Sequence, residues 1–466
     1  MRFALLALAL VACGDDSGFV DAMVSDGGAD ALVDASTDAS VDAPAIDAPA
    51  LDAPAIDAPT DARVDAPSDA GPSELDRVLA ILEADALSEE DADTLLHDEA
   101  WAFRWPLRDG TRYLFLTRWD APGGAVSWVG DFNAFTPGTD AATALSTGVH
   151  YWALVESSDE PRGAKYKWHA SDVFRAPPES TAYGWDEFGE FGYIAPPAGA
   201  SWLERFPDLT APYRPLPRTV RVRLPADFDG SDARVLLLHD GQNVFGPDAF
   251  FGGWRMETAL DDGYPDVVAV AVDNAADRFD AYTHTVDDFP GSLVGGDADD
   301  YIRLLEDDVL PFIRDRYGVS AMGDSLMIAG SSLGGLVTLY IAIERPALAG
   351  CVGAMSSTLG WGAYRAGAPD ALINRWTGVG PAVYLDSGGN GTCTDPDGDG
   401  VQEDASQTDN YCVTNQMRDH LVSEGYEFDV NLAHWWEPGA PHNEGAWRAR
   451  VPRMLEACVG FGWSAL

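Results

Sequence analysis

The stretch "SLMIAGSSLGGLVTLYIAIE", Ser325 to Glu344, decides how the chain is read. It opens with an apolar run of strand length and closes with a longer apolar run of helical length. Between them lies Gly330-Ser331-Ser332-Leu333-Gly334, which fits G-x-S-x-G with Ser332 at the centre. In a strand–turn–helix setting this pattern puts a serine on a sharp turn with its hydroxyl presented for chemistry. Glycine is needed on both sides because a side chain would clash in so tight a bend. The helix that starts behind Ser332 also favours a developing negative charge. Ser332 is therefore the candidate nucleophile, and a plain glycine-rich bend is the alternative.

Working outward, "TVRVRLP", "ARVLLLHDG", "DVVAVAVDN", "AGCVGAMSS", "GPAVYLDSGG" and "EFDVNLAHWW" are further candidate strands. Helical stretches such as "DDYIRLLEDDVLPFIRDRYG" and "EGAWRARVPRMLEACVGF" lie between most of them. Near-continuous apolar strands alternating with helices predict an α/β fold with a doubly wound, mostly parallel sheet. Reactive groups in such sheets belong at the carboxyl ends of the strands. A serine hydroxyl is a weak nucleophile and needs a base. His442, in "WWEPGAPHNEGAW", follows the last candidate strand and precedes the last helix, where a loop carries it back to the strand ends. His434 falls inside the last strand and is expected to be packed there. His239 ends "LLLHDG" and is placed to line the cleft, but it stands too early in the chain for the base.

These pieces together resemble the esterase branch of the α/β-hydrolases, which includes enterochelin, feruloyl and acetylxylan esterases. The resemblance covers residues of about 218–462 and rests on "LLLHDGQNVF", "GGWRMETAL", "AVAVDNAADRFDAYT", "IAGSSLGGL" and "GAPHNEGAW", in that order. It implies a carboxylic ester hydrolase working through an acyl-enzyme, with no catalytic cofactor and with a small-molecule or polymer-borne ester as substrate. It also implies a chain order of serine, acid, histidine. The oxyanion donors it implies are the Leu333 N–H and an N–H at Gly241 or Gln242, with Asp240 structural. The acid should follow the penultimate strand, within "VYLDSGGNGTCTDPDGDGVQED". Relatives tend to place it about where Gly391 sits, but this chain inserts a longer loop. Asp395 is the expected acid and Asp386 the strand-end alternative, with Asp397 and Asp409 behind them.

The same loop spaces Asp395, Asp397 and Asp399 at positions 1, 3 and 5, with Gly400 at 6 and Glu403 at 9. That resembles a calcium loop, in which hard oxygen ligands surround a tight glycine turn. Position 12 is Ser406 rather than Glu, so the match is partial, and a solvated acidic loop is the alternative. Cys393 and Cys412 flank this loop and are the expected disulfide. With Cys351 and Cys458 they make an even set that allows three pairings.

The N-terminus, "MRFALLALALVACGDD", has one early Arg and an apolar run too short to span a bilayer. Its end, Leu10-Val11-Ala12-Cys13, resembles the lipobox of bacterial lipoproteins, which implies lipidation at Cys13. Gly14 in place of Asp fits the outer membrane in that family. Residues 14–72 follow with 14 Asp and one Arg in Asp-Ala-Pro repeats. Proline and like charge together predict an extended, disordered tether. Residues 73–95 carry a helical pattern. Residues 96–200 hold short aromatic and β-branched runs that suit an Ig-like β-sandwich. "VSWVGDFNAF" resembles early-set or glycogen-binding modules, which makes Trp128, Trp152 and Trp168 a sugar platform or a core. Residues 201–466 form the esterase domain. The net charge of −47 excludes nucleic acid and anionic membrane surfaces as partners, because phosphate binding needs clustered Lys and Arg. It leaves the lipid anchor as the membrane contact. A hydrolase fold without catalysis, serving as a tethered glycan-binding protein, is the other reading of the chain.

Overall fold

The computed structural model describes residues 72–102, 104–120, 125–230, 233–289, 291–364, 370–404 and 409–464. Cys13 and nearly all of the Asp-Ala-Pro segment lie outside the described residues.

Among the described residues, eight strands of the C-terminal domain build its main sheet: β1 (Trp202–Ala211), β2 (Arg214–Leu224), β3 (Arg234–His239), β4 (Val267–Val272), β5 (Gly323–Ser331), β6 (Ala349–Met355), β7 (Ala382–Ser387) and β8 (Leu432–Trp436). Their spatial order is β1-β2-β4-β3-β5-β6-β7-β8. From β4 to β8 every pairing is parallel, while β2 runs antiparallel to β4 and to β1. All six residues of β4, Val-Val-Ala-Val-Ala-Val, are buried, as expected of a strand covered on both faces.

The faces separate by alternation. Val235, Leu237, Val268, Val270, Leu326 and Ile328 pack with the helices Ala298–Leu304, Leu310–Tyr317 and Leu333–Glu344. Leu236, Leu238, Ala269, Ala271, Met327 and Ala329 pack with Met256–Gly263 and Glu444–Gly460. This is the doubly wound, mostly parallel α/β sheet expected from the strand pattern. The helix Leu333–Glu344 has no polar face over its first ten residues, all of which are buried. Its apolar character matches a helix at the centre of the domain.

N-terminal to this domain, two helices, Glu74–Ala84 and Glu89–Ala102, pack on a four-stranded sheet. The second helix runs past residue 95, where the sequence pattern had placed its end. The strand Arg112–Arg118 alternates between two cores. Leu114 and Leu116 meet the helices, while Tyr113 and Phe115 meet a second sheet carrying Trp128, Tyr166 and Trp168. Trp128 is 1% exposed and stacks on Phe115, and Trp168 is 3% exposed. These two rings fill the inside of the module and present no face to solvent. They are core rather than a sugar platform, and Trp152 packs toward the helices.

The two parts share one sheet. The strand Ala182–Asp186 pairs with β1, placing Tyr183 opposite Leu203 and Ala182 opposite Glu204. Strands of both parts thereby join in a fourteen-stranded sheet among the described residues. This pairing covers the outer edge of β1 at Leu203 and Glu204, where N–H and C=O groups would otherwise face solvent.

Candidate active site

Ser332 sits where β5 passes into the helix Leu333–Glu344, with φ 57° and ψ −123°. A non-glycine residue in this region stores on the order of 1–3 kcal/mol of backbone strain and persists only where its surroundings fix it. Here the backbone is pinned on both sides. Ser332 N–H donates to Met355 O at 3.0 Å, and its carbonyl accepts Thr358 N–H at 3.1 Å. A Cβ on Gly330 would come within 2.5 Å of the Gly334 backbone, and one on Gly335 within 2.2 Å of Ser357 Oγ. Gly330 is thus required by backbone approach, and Gly335, which lies outside the pentapeptide, by the Ser357 side chain packed against it. Ser332 Oγ lies 3.3 Å from Thr358 Oγ1.

The turn after β3 stands beside it. Asp240 takes a left-handed conformation, φ 57°, and opens the short turn Gly241–Asn243. Its carboxylate is gripped by Arg278 through two bonds of 2.8 Å and by Asn274 at 2.5 Å. Burial alone would raise Asp240, but the Arg278 charge outweighs it and holds the group below the usual carboxylate range. Asp240 is structural, as expected. Gly241 admits no side chain, because a Cβ would fall 2.6 Å from Asp273 Oδ1 and 2.9 Å from the Ala271 carbonyl. Gln242 Oε1 accepts Asn274 N–H at 3.1 Å, which folds its side chain back onto the turn. Leu333 is the first residue of its helix, so its N–H belongs to the turn that has no intrahelical acceptor. His239 is buried and bonded through Nδ1 to Tyr301 at 2.9 Å. Burial pushes it down to about 4, so it stays neutral and does not line an open cleft. His434 lies in β8 and is likewise lowered by burial to about 4.

His442 lies just ahead of the helix Glu444–Gly460, whose N-cap, Asn443, accepts Ala446 N–H at 3.0 Å. The cap fixes where the loop ends and the helix begins. The imidazole meets Trp447 edge-on, with ring centroids 5.0 Å apart at 82°. Its Nδ1 lies 2.6 Å from Asp409 Oδ1.

That contact corrects the expected acid. The carboxylate on His442 Nδ1 belongs to Asp409, not to Asp395 or Asp386. Asp395 turns its oxygens onto its own loop, where they accept Gly398 and Gly400 N–H at 2.8 and 3.1 Å. Asp386 is fully buried at the end of β7 and faces Arg450 Nε at 3.1 Å and the Tyr384 hydroxyl at 3.0 Å. Burial raises Asp386 to about 6 against the pull of Arg450. Burial also works against the charge on Asp409, but His442, the Ser356 hydroxyl and Arg450 together hold it below the ordinary carboxylate value. A signal for Asp409 was present in the sequence. It lies three residues before Cys412, which is bonded to Cys393 with Cα atoms 5.4 Å apart. The disulfide returns the long loop to the strand end, so the carboxylate that meets His442 comes from the far side of the insertion rather than the near side. Cys351 and Cys458 form the second disulfide.

Asp395, Asp397 and Asp399 bring one carboxylate oxygen each within 4.8 Å of one another, a spacing that fits one cation. Glu403 lies on a short strand, Glu403–Asp404, paired with Cys393–Thr394.

A model of the family described as "Putative esterase" matches residues 215–458, more than half of the chain. The chain belongs to this family of α/β-hydrolase esterases and is a carboxylic ester hydrolase. Solved structures with which it shares similarity include the enterobactin esterase FES from Shigella flexneri in the presence of enterobactin. That match has 14% identity and a TM-score of 0.41, and covers 75% of this chain and 92% of that one. The BES protein from Bacillus cereus matches at 14% identity and a TM-score of 0.40, over 55% of this chain and 95% of that one. A ferulic acid esterase matches at 15% identity and 0.40, over 57% and 99%. A search of curated proteins returned no match.

Proposed function

We propose that the chain is an exported, lipid-anchored serine esterase in which Ser332, His442 and Asp409 form the catalytic triad. Ser332 Oγ attacks the ester carbonyl carbon while His442 Nε2 takes the hydroxyl proton. The carbonyl π electrons move to oxygen, giving a tetrahedral oxyanion. Leu333 N–H donates to that oxyanion, together with an N–H of the Gly241–Gln242 turn. The oxyanion collapses, the C–O bond to the alcohol breaks, and His442 returns its proton to the leaving oxygen. Water then enters by the same sequence, releasing the acid and restoring Ser332. Asp409 holds His442 with Nδ1 protonated and balances the imidazolium that forms.

The observation that carries this reading is the buried His442–Asp409 contact of 2.6 Å, which stands with Ser332 held in a strained turn at the end of β5. The reading also places a lipid on Cys13 at the outer membrane. It further places a structural calcium ion on Asp395, Asp397 and Asp399, with Glu403 beside them. The substrate class is left to a screen across acetyl, feruloyl and siderophore esters. Ser332→Ala should abolish turnover of short p-nitrophenyl esters with circular dichroism and Tm unchanged. Turnover at the wild-type rate would sink the assignment.

A further inference from the structure

A hydroxyl has one proton to donate and two lone pairs to fill. Ser356 Oγ, at the end of β6 and fully buried, has three partners. Arg450 Nη2 lies 2.9 Å away and Trp447 Nε1 lies 3.1 Å away. Both are donors only, so they occupy the two lone pairs. The third partner is Asp409 Oδ2 at 2.7 Å, and the single Ser356 proton is left to point there. Gly388 N–H donates to the same oxygen. Two hydrogen bonds donated to one oxygen favour the ionised form of the Asp409 carboxyl. Its other oxygen, Oδ1, then accepts the hydrogen bond of His442 Nδ1–H, which leaves Nε2 as the acceptor side of the ring.

We propose that Arg450 and Ser356 are positioning residues that set the direction of every proton in the triad, from the last helix through Ser356 and Asp409 to His442. The inference rests on the triad assigned above and goes beyond it. The elements around Asp409 fit this role. Arg450 is fully buried on the helix Glu444–Gly460, and its counter-charge is Asp386 of β7, itself bonded by Tyr384. His442 faces Asp409 from the loop before that helix. Ser356 holds φ +44°, a second strained serine one strand from Ser332. Its backbone is fixed by N–H donation to Asp386 O at 2.8 Å and by Asn410 Nδ2 on its carbonyl at 2.7 Å. A charge-assisted hydrogen bond spent on orientation rather than on substrate should show in kcat and not in KM.

The test is the pH profile of kcat/KM for Ser356→Ala, Arg450→Met and Arg450→Lys beside the wild type and Asp409→Asn, with circular dichroism and Tm recorded for each. Ser356→Ala should lower kcat roughly 10- to 100-fold with KM unchanged, the scale of one lost hydrogen bond to a charged group. The sign of the pH effect follows from charge. Without the Ser356 proton or the Arg450 cation, Asp409 and His442 take up a proton more readily, so the acid limb moves to higher pH in Ser356→Ala and Arg450→Met. Arg450→Lys keeps the cation and should bring the limb back toward wild type. If Arg450→Met fails to fold, Ser356→Ala, which removes one oxygen, carries the test. A wild-type acid limb and kcat in Ser356→Ala would overturn the relay. Full activity in Asp409→Asn would instead overturn the triad on which it rests.

Discussion

Ser332 and Ser356 end neighbouring strands, and both hold positive φ without being glycine. Strain of this kind gathers where geometry is needed more than stability. The sequence showed the first serine and not the second. Ser332 announces itself locally, because G-x-S-x-G between a strand and a helix is a short-range signal. Ser356 has no motif, since its role comes from the three side chains that converge on its oxygen. Asp409 is a middle case: its place in the chain order was legible, but its choice over Asp395 depends on how a loop closes in space. The contrast gives a prediction. Asp409→Asn should lower kcat by about 10³–10⁴-fold, the loss expected when the base takes the wrong tautomer. Asp395→Asn should leave ester turnover near wild type, since its oxygens serve Gly398 and Gly400. Steady-state kinetics of the two variants with one p-nitrophenyl ester decides between them, and the reverse pattern would restore Asp395 as the acid.

At the scale of elements, the insertion after β7 carries two separate devices. The Cys393–Cys412 disulfide brings the chain back beside the strand end, and Gln416 on the following helix accepts Gln402 N–H at 2.9 Å and donates to Gly400 O at 2.7 Å. The three aspartates then stand on a loop held at both ends. Their spacing was readable as a resemblance, because calcium loops are local in sequence. The helix Tyr411–Ser423 was readable too, as the helical stretch "NYCVTNQMRDHLVSEG", but its contacts to the loop were not, because hydrogen bonds across a 14-residue separation leave no periodic trace. If calcium completes this loop, EDTA lowers Tm and added calcium restores it while magnesium does not, since magnesium demands tighter octahedral geometry. Asp397→Asn should remove the response. A Tm indifferent to EDTA would dismiss the ion and leave a solvated acidic loop.

At the scale of the whole molecule, the doubly wound sheet was legible because each strand's apolar run reports burial on both faces. The joining of the module to it was not. Tyr183 pairs with Leu203 across an antiparallel edge, and nothing in either strand's composition names its neighbour. The tryptophans of the module left two readings open for a related reason: an aromatic on a strand reads the same whether its face is inside or outside. Beyond the shared sheet, the chain carries 76 acidic residues against 29 basic ones, so the proposed attachment to a bilayer rests on an acyl chain rather than on charge. Cys13→Ser should therefore move the protein from the detergent-extracted membrane fraction to the soluble fraction of an expressing bacterium. Equal partitioning of variant and wild type would remove the anchor from the account.

The central claim is that Ser332 is the nucleophile. Treating the folded protein with a fluorophosphonate probe and mapping the adduct by peptide mass spectrometry tests it directly. The account predicts one adduct, on Ser332, formed in step with the loss of ester turnover and missing from Ser332→Ala. An adduct on another serine that tracks the loss of activity, or turnover that persists after Ser332 is fully labelled, would contradict it.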